Sequence, residues 1–121
     1  MLSEYTIRIF SVTKAGSKDE RIVTQYHYTI WPDHGAPEYP TSFLHFIRKV
    51  TVSNPLNSGP IVVHCSAGVG RTGVFIILFN QLRRITSERN LNVLDFVRSM
   101  RHNRNHMVQT EVSVQEILFC I

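Results

Sequence analysis

The stretch that decides the fold is V-H-C-S-A-G-V-G-R-T-G, residues 63–73. A short run of apolar, β-branched residues precedes its cysteine, and an apolar segment of helical length follows its arginine. Because β-branched runs favour strands and glycines interrupt regular structure, we predict a strand over residues 61–64 and then a loop. A buried helix is predicted over residues 72–86.

The loop between strand and helix has the composition of a phosphate-binding site. Its backbone N–H groups can turn inward and join the helix N-terminus around a dianion, and Gly68 and Gly70 are expected to tolerate the unusual dihedrals that this requires. Arg71 can close the ring with a bidentate guanidinium fork. The predicted phosphate-binding residues are Ser66, Ala67, Gly68, Val69, Gly70 and Arg71.

Cys65 is the candidate nucleophile of this loop. The positive field that attracts a phosphate also lowers the pKa of a thiol, and only the thiolate attacks efficiently. His64, the residue before it, can hold the loop in shape through a hydrogen bond to backbone, although a solvated histidine is the plainer interpretation. A Cys-x5-Arg spacing alone is weak evidence, but the flanking histidine, glycines and Thr72 make a chance match improbable.

A second motif, W-P-D-H-G at residues 31–35, offers the acid that a thiolate needs. A phosphate ester loses its alcohol readily only when the leaving oxygen is protonated, and Asp33 is the candidate general acid. Pro32 and the glycine place the motif in a loop, and Trp31 can act as a bulky hinge when that loop closes. An ordinary Pro-Asp turn remains the commoner meaning of such a tripeptide.

A third segment, M-V-Q-T-E at residues 107–111, follows a helical pattern whose apolar face is expected to contain Val93, Leu94, Phe96, Val97 and Met100. Gln109 can orient the water that hydrolyses a phosphocysteine, while an ionised Asp33 takes the proton. Thr72 can donate a hydrogen bond to the departing sulfur. Solvated surface Gln and Thr side chains are the alternative.

Together the three segments resemble the protein tyrosine phosphatases. The first is similar to that family's signature loop, the second to its mobile acid loop and the third to its glutamine segment, in the family's order. The sequence around them, including P-E-Y-P-T-S-F-L-H-F-I-R-K-V, is most similar to the receptor-type members. The resemblance is strongest to the membrane-proximal domain of the leukocyte-antigen-related group.

The resemblance implies a mechanism and a set of residue roles. It implies Cys65 as nucleophile, Arg71 as phosphate ligand, Asp33 as acid and then base, Thr72 as an aid to dephosphorylation and Gln109 as water positioner, with no metal and no organic cofactor. The expected activity is hydrolysis of phosphotyrosine in proteins, which makes phosphotyrosine-containing proteins the expected partners.

Two other functions remain open. The chain can be a truncated, non-catalytic fragment that binds phosphoproteins or partners without turnover. A dual-specificity or lipid phosphatase shares the Cys-x5-Arg loop but fits W-P-D-H-G and the glutamine segment poorly. The resemblance covers less than half of a family catalytic domain, so residues 1–121 are expected to form its C-terminal portion as one segment, truncated at both ends.

Composition favours a globular chain outside the membrane. Hydrophobic residues make up 43% of the chain and charged residues 18%. The net charge of +4 is compatible with nucleic-acid binding, but the basic residues lack the interleaved aromatic side chains on which bases stack. A zinc site is disfavoured because His102 and His106 stand without the glutamate of a metalloprotease helix. We expect no membrane segment in this chain and a cytoplasmic location, which is the cytosolic side if the full-length protein is a membrane receptor.

The expected fold class is α/β or α+β, a partial phosphatase fold with a mixed sheet flanked by helices. Alternating patterns predict a β-hairpin from strands over residues 6–12 and 21–29. A helix is predicted from residue 41 or 42 to about residue 52, with its apolar side on Phe43, Leu44, Phe46, Ile47 and Val50, and another over residues 92–101. Apolar surface that further strands would cover is expected to be exposed.

Overall fold

The structure is a computed structural model that describes residues 4–32, 35, 37, 40–55 and 57–109. By its internal contacts the chain divides into two compact units, Met1–Trp31 and Pro32–Ile121. The secondary-structure elements of the described residues are β1 (Tyr5–Thr13), β2 (Glu20–Tyr28), α1 (Pro40–Ser53), α2 (Gly70–Glu88) and α3 (Val93–Asn103).

The first unit is an antiparallel hairpin of β1 and β2. Its register runs from Tyr5 opposite Tyr28 to Thr13 opposite Glu20. In the turn, the Ser17 N–H donates to the Lys14 carbonyl at 2.9 Å. Gly16 has a φ of 81°, which this turn needs at its third residue and which glycine adopts without a steric penalty. The predicted hairpin is confirmed.

One face of the hairpin exposes large apolar side chains. Ile9 is 71% exposed and Ile22 is 66% exposed. The register places Ser11 opposite Ile22, so Ile9, two residues before Ser11, lies on the same face as Ile22. The expected exposure of apolar surface is confirmed for this face.

The second unit has a core of aromatic and aliphatic side chains. In α1 the buried stripe recurs at helical spacing on Phe43, Phe46, Ile47 and Val50. The Phe75 ring of α2 packs edge to face against Phe43 and Phe46, with ring centroids 6.4 and 6.1 Å away. Leu44, which the pattern placed in the core, is only half-buried.

Polar contacts join the C-terminal half of α2 to the start of α3. Gln81 is fully buried, and its Oε1 accepts a hydrogen bond from the Asn92 backbone N–H at 3.1 Å. The Asn92 side chain in turn accepts from the Asp95 N–H at 3.1 Å and caps α3. These contacts fix where α3 begins relative to α2.

The predicted apolar face of α3 was wrong at one position. Val97 and Met100 are buried, whereas Leu94 is 61% exposed. A stripe centred between Val97 and Met100 includes Val93, while Leu94 lies roughly a quarter of a turn away from its centre. The sequence pattern had included more apolar residues than one helical face can hold.

The predicted strand over residues 61–64 and the mixed sheet are not formed among the described residues. Their sheet has two strands in the order β1-β2, and residues 61–64 have no strand pairing. A central strand exists only when neighbouring strands take up its N–H and C=O groups, and Val62 is 83% exposed. The predicted helix after the loop is present, and it begins two residues earlier than expected.

None of the helices in the described part of the chain is both long and apolar enough to cross a membrane.

Candidate active site

The glycine-rich loop ends at the N-terminus of α2. The Val69 carbonyl, immediately before α2, accepts hydrogen bonds from the Gly73 N–H at 3.2 Å and from the Val108 N–H at 3.0 Å. The first turn of α2 contains no acidic residue. Because helix N-termini carry partial positive charge and free N–H groups, this end of α2 favours an anion.

The sulfur of Cys65 lies within this loop and accepts hydrogen bonds from it. Thr72 Oγ1 donates to Cys65 Sγ at 3.1 Å, and the Gly68 N–H donates at 3.2 Å. Both donors favour the thiolate over the neutral thiol, since a charged acceptor forms the stronger hydrogen bond. The loop is therefore arranged to hold a sulfur anion.

The pKa of Cys65 reflects two opposed effects. Partial burial raises the pKa of the thiol, but hydrogen bonds lower it by more in total: that of the Thr72 side chain, and those of the backbone N–H groups of Thr72, Gly68 and Val69. The pKa of Cys65 falls to about 7 as a result. At neutral pH a large fraction of this cysteine is thus ionised and competent as a nucleophile.

Arg71, at the end of the signature loop, contacts Pro32. Its Nη2 donates to the Pro32 carbonyl oxygen at 3.1 Å. Asp33, the predicted general acid, lies outside the described residues. Trp31, the predicted hinge, belongs to the hairpin unit, where its ring meets Tyr28 edge to face at 6.4 Å.

Gln109 lies beside the start of α2. A Cβ built on Gly70 would be 3.7 Å from Gln109 Oε1, so the amide is in the immediate neighbourhood of the loop. The side chain is exposed to solvent. The two segments that carry Cys65 and Gln109 are far apart in sequence, and the fold of the second unit brings them together.

The two loop glycines expected to have unusual dihedrals behave differently. Gly68 has a φ of 71°, in the region that glycine alone adopts freely. Gly70 is not in that region and forms the first residue of α2, so its prediction was wrong. Beside them, His64 Nδ1 lies 3.4 Å from the Cys65 carbonyl oxygen, in the kind of backbone contact that the sequence had suggested.

Two arginines near the end of α3 support the site and were not singled out from the sequence. Arg104 Nη2 donates to the Ala67 carbonyl at 3.3 Å, across 37 positions of the chain. Arg101 donates through Nε to the Met107 carbonyl and through Nη2 to the Val108 carbonyl, both at 3.0 Å. Their position in a basic cluster just before the glutamine segment was the one available indication.

A cavity of about 490 Å³ lies against the loop, and Cys65 lines it. Its walls combine polar loop residues with side chains from α2, α3 and the segment that follows, including Ile76, Met100 and Met107. Small molecules can therefore approach the loop from this side. Among the described residues no group of three or more His, Cys, Asp or Glu side chains is placed to hold a metal ion.

Comparison with known proteins agrees with this geometry. The family model described as "Protein-tyrosine phosphatase" matches residues 1–121. The chain is 54% identical to receptor-type tyrosine-protein phosphatase S of Gallus gallus over 110 residues. This alignment covers 91% of the chain and 7% of the relative. It is 51% identical over 110 residues to receptor-type tyrosine-protein phosphatase F of Homo sapiens, covering 91% of the chain and 6% of the relative.

An insect protein is also similar in sequence to the chain. The putative receptor-type tyrosine-protein phosphatase mosPTP-1 of Culex quinquefasciatus is 47% identical over 117 residues, covering 92% of the chain and 8% of the relative. The chain thus spans less than a tenth of the length of each of these three relatives. The resemblance to receptor-type members and the α/β fold class are confirmed, and the chain belongs to the protein-tyrosine phosphatase family.

Proposed function

We propose that this chain hydrolyses phosphotyrosine in proteins through a phosphocysteine intermediate on Cys65. The observation that carries the proposal is the sulfur of Cys65, which accepts hydrogen bonds from Thr72 Oγ1 and the Gly68 N–H and has a pKa of about 7. A structural cysteine does not need such donors. A nucleophile does, because its reactivity at neutral pH depends on the thiolate fraction.

In the proposed first step, the Cys65 thiolate attacks the phosphorus of the substrate. The new S–P bond forms as the P–O bond to the tyrosine oxygen breaks, and the carboxyl group of Asp33 gives its proton to that oxygen. The Arg71 guanidinium and the N–H groups at the start of α2 stabilise the phosphoryl oxygens. The hydrogen bond from Arg71 to the Pro32 carbonyl supports these roles of Arg71 and Asp33, because it joins the phosphate loop to the residue before Asp33.

In the proposed second step, water hydrolyses the phosphocysteine. The Gln109 side chain orients the water, the ionised Asp33 accepts its proton, and the S–P bond breaks as the new O–P bond forms. The electron pair remains on the sulfur, where Thr72 Oγ1 stabilises the returning thiolate from 3.1 Å. Phosphate leaves, and Cys65 is ready for another cycle.

The partners follow from this chemistry. The relatives are named as receptor-type tyrosine-protein phosphatases, which supports phosphotyrosine-containing proteins as substrates here. An ionised cysteine survives only in a reducing environment, so we place the chain on the cytosolic side of the cell. Neither step calls for a metal or an organic cofactor.

The test is hydrolysis of p-nitrophenyl phosphate and of a phosphotyrosyl peptide by the 121-residue chain. We expect turnover that tungstate inhibits and that Cys65→Ser abolishes. The matched control is Cys120→Ser, which removes the only other cysteine of the sequence and should leave turnover unchanged.

The same experiment decides between the proposal and its alternative. A wild-type chain that shows no turnover, yet retains a phosphotyrosyl peptide in a binding assay, would be a non-catalytic binding fragment. Turnover that persists in Cys65→Ser would rule out the phosphocysteine route. Faster hydrolysis of a lipid phosphate than of the peptide would favour a lipid phosphatase.

A further inference from the structure

Val108, the residue before Gln109, has an unusual backbone conformation. Its φ is 60°, in the left-handed region that a β-branched residue strongly avoids, and its side chain is 1% exposed. Such a conformation persists only where the surrounding structure holds it in place, and it occurs preferentially at functional sites. What holds Val108 can therefore be read from its contacts.

Three contacts surround Val108. Its N–H donates to the Val69 carbonyl at 3.0 Å, which ties it to the end of the signature loop. Its carbonyl accepts from Arg101 Nη2 at 3.0 Å, while Arg101 Nε binds the preceding carbonyl, that of Met107, at the same distance. The guanidinium thus fixes two successive peptide groups.

The third contact is with Gly73 in the first turn of α2. A Cβ built on Gly73 would lie 2.7 Å from the Val108 backbone nitrogen and 3.0 Å from its Cγ2. Backbone cannot yield in the way a flexible side chain can, so only glycine allows Val108 to approach this closely. We call Val69, Gly73, Val108 and Arg101 the Val108 clamp.

The clamp determines where Gln109 lies. Gln109 is bonded directly to Val108, and its Oε1 is 3.7 Å from where a Cβ of Gly70 would be. Gly70 and Gly73 are both in the first turn of α2, at the edge of the loop that holds Cys65. A shift of Val108 away from Gly73 would therefore carry the Gln109 amide away from the loop.

We propose that the Val108 clamp positions Gln109 and thereby sets the rate at which the phosphocysteine is hydrolysed. The inference rests on the proposed function and adds positioning residues for its second step. In that step the water oxygen forms a bond to phosphorus, its proton passes to Asp33, and the Cys65 sulfur leaves as thiolate. The first step does not need Gln109, so a loosened clamp should slow the second step selectively.

The test compares two clamp variants, one in α2 and one in α3, with a control in α3. Gly73→Ala pushes Val108 away, and Arg101→Lys keeps the charge but loses the two-pronged donor. The control is Arg98→Lys, because the ion pair that the Arg98 guanidinium forms with Asp95, one turn away, is exposed and outside the clamp. Stopped-flow mixing with p-nitrophenyl phosphate gives the burst rate for the first step and the steady-state rate for the second.

In both clamp variants we expect the steady-state rate to fall about 10- to 100-fold, which is the cost of misplacing a reacting group by about an ångström. The burst rate should stay within about twofold, since neither substitution removes a hydrogen-bond donor to the Cys65 sulfur. Arg98→Lys should match wild type in both rates. If Gly73→Ala does not fold, the two rates of Arg101→Lys decide the test.

A double-mutant cycle separates positioning from a general structural effect. Adding either clamp substitution to Gln109→Ala should cause little further loss in the second step, because the group being positioned is already absent. The inference would be overturned if the losses of steady-state rate from the clamp substitution and from Gln109→Ala multiplied in the double variant. It would also be overturned if a clamp substitution lowered the burst rate as much as the steady-state rate. Either result would leave the proposed function standing. A wild-type chain that does not turn over p-nitrophenyl phosphate would overturn the proposed function itself, and the inference with it.

Discussion

The hairpin and the helical unit use apolar residues in opposite ways. In the helical unit, Ile77 is fully buried and Leu78 is 1% exposed. In the hairpin, Ile9 and Ile22 are 71% and 66% exposed on one face. Two strands alone cannot bury a face, whereas three helices can enclose a core. The glycine-rich loop that contains Cys65 belongs to the unit that has the core, and the packing of that unit holds the geometry of the loop.

The surroundings of the Cys65 sulfur depend on the helical unit. The donors to Cys65 Sγ include Thr72, at the start of α2, and Gly68, in the loop before it. Behind them, α2 contributes buried residues such as Val74 and Phe75 to the core. The positions of the donors thus depend on packing within the second unit.

The largest contrast should come from removing one isoleucine in each unit. Ile77→Ala leaves a cavity in the core and should destabilise α2 by about 2–5 kcal/mol, whereas Ile9→Ala should change stability by no more than about 0.5 kcal/mol. Hydrogen–deuterium exchange of the α2 amides measures both effects. Similar loss of α2 protection in the two variants would contradict the contrast.

A medium effect is expected at the hydroxyl that contacts the sulfur. Thr72→Val removes a hydrogen bond to a charged group, worth about 1.5–3 kcal/mol, and should raise the pKa of Cys65 by roughly one unit or more. Thr86→Val is the control, because Thr86 Oγ1 donates to the Leu82 carbonyl on the same helix. Alkylation by iodoacetamide across pH measures the thiolate fraction.

The sign of the pH dependence is fixed by the lowered pKa. In wild type, alkylation should be half-maximal near pH 7 and fall as the pH drops below that, because the thiol becomes protonated. In Thr72→Val the whole curve should move to higher pH. An unmoved curve would show that the hydroxyl does not stabilise the thiolate.

The smallest contrast compares two glycines that both have positive φ. Gly68→Ala forces a side chain into the left-handed region, at about 1–2 kcal/mol, and its Cβ would meet Arg104 Nη2 at 3.1 Å. Gly16→Ala has the same backbone strain but meets nothing within 4 Å. Tungstate affinity should fall in Gly68→Ala and stay unchanged in Gly16→Ala. A loss of affinity in both variants would mean that the hairpin turn influences the loop.

Local features of the fold could be predicted from the sequence. The hairpin and the three helices are encoded in residues close together in the chain, so periodicity was sufficient to predict them. The hydrogen bond from Thr72 to Cys65 was suggested by residue chemistry alone, with a solvated threonine as the alternative. The strand over residues 61–64 was not formed because pairing partners decide whether such a run becomes a strand. Gly70 was misjudged because α2 begins there rather than two residues later.

Contacts between distant segments escaped prediction. Arg104 reaches the Ala67 carbonyl over 37 positions, and no periodicity indicates that this arginine, rather than Arg98 or Arg101, will do so. The close approach of Val108 to Gly73 depends on the packing of α2 against the segment after α3. The roles of Asp33 as acid and Gln109 as water positioner remain predictions, founded on the resemblance and on residue chemistry.

The central claim is that the sulfur of Cys65 becomes phosphorylated, and the most direct measurement is the mass of the intermediate. The chain is mixed with p-nitrophenyl phosphate, quenched in denaturant within milliseconds and analysed by mass spectrometry after digestion. The account predicts one added phosphoryl group on the peptide that contains Cys65, and none in Cys65→Ser. Product formation with an unmodified Cys65 peptide at every quench time would contradict it.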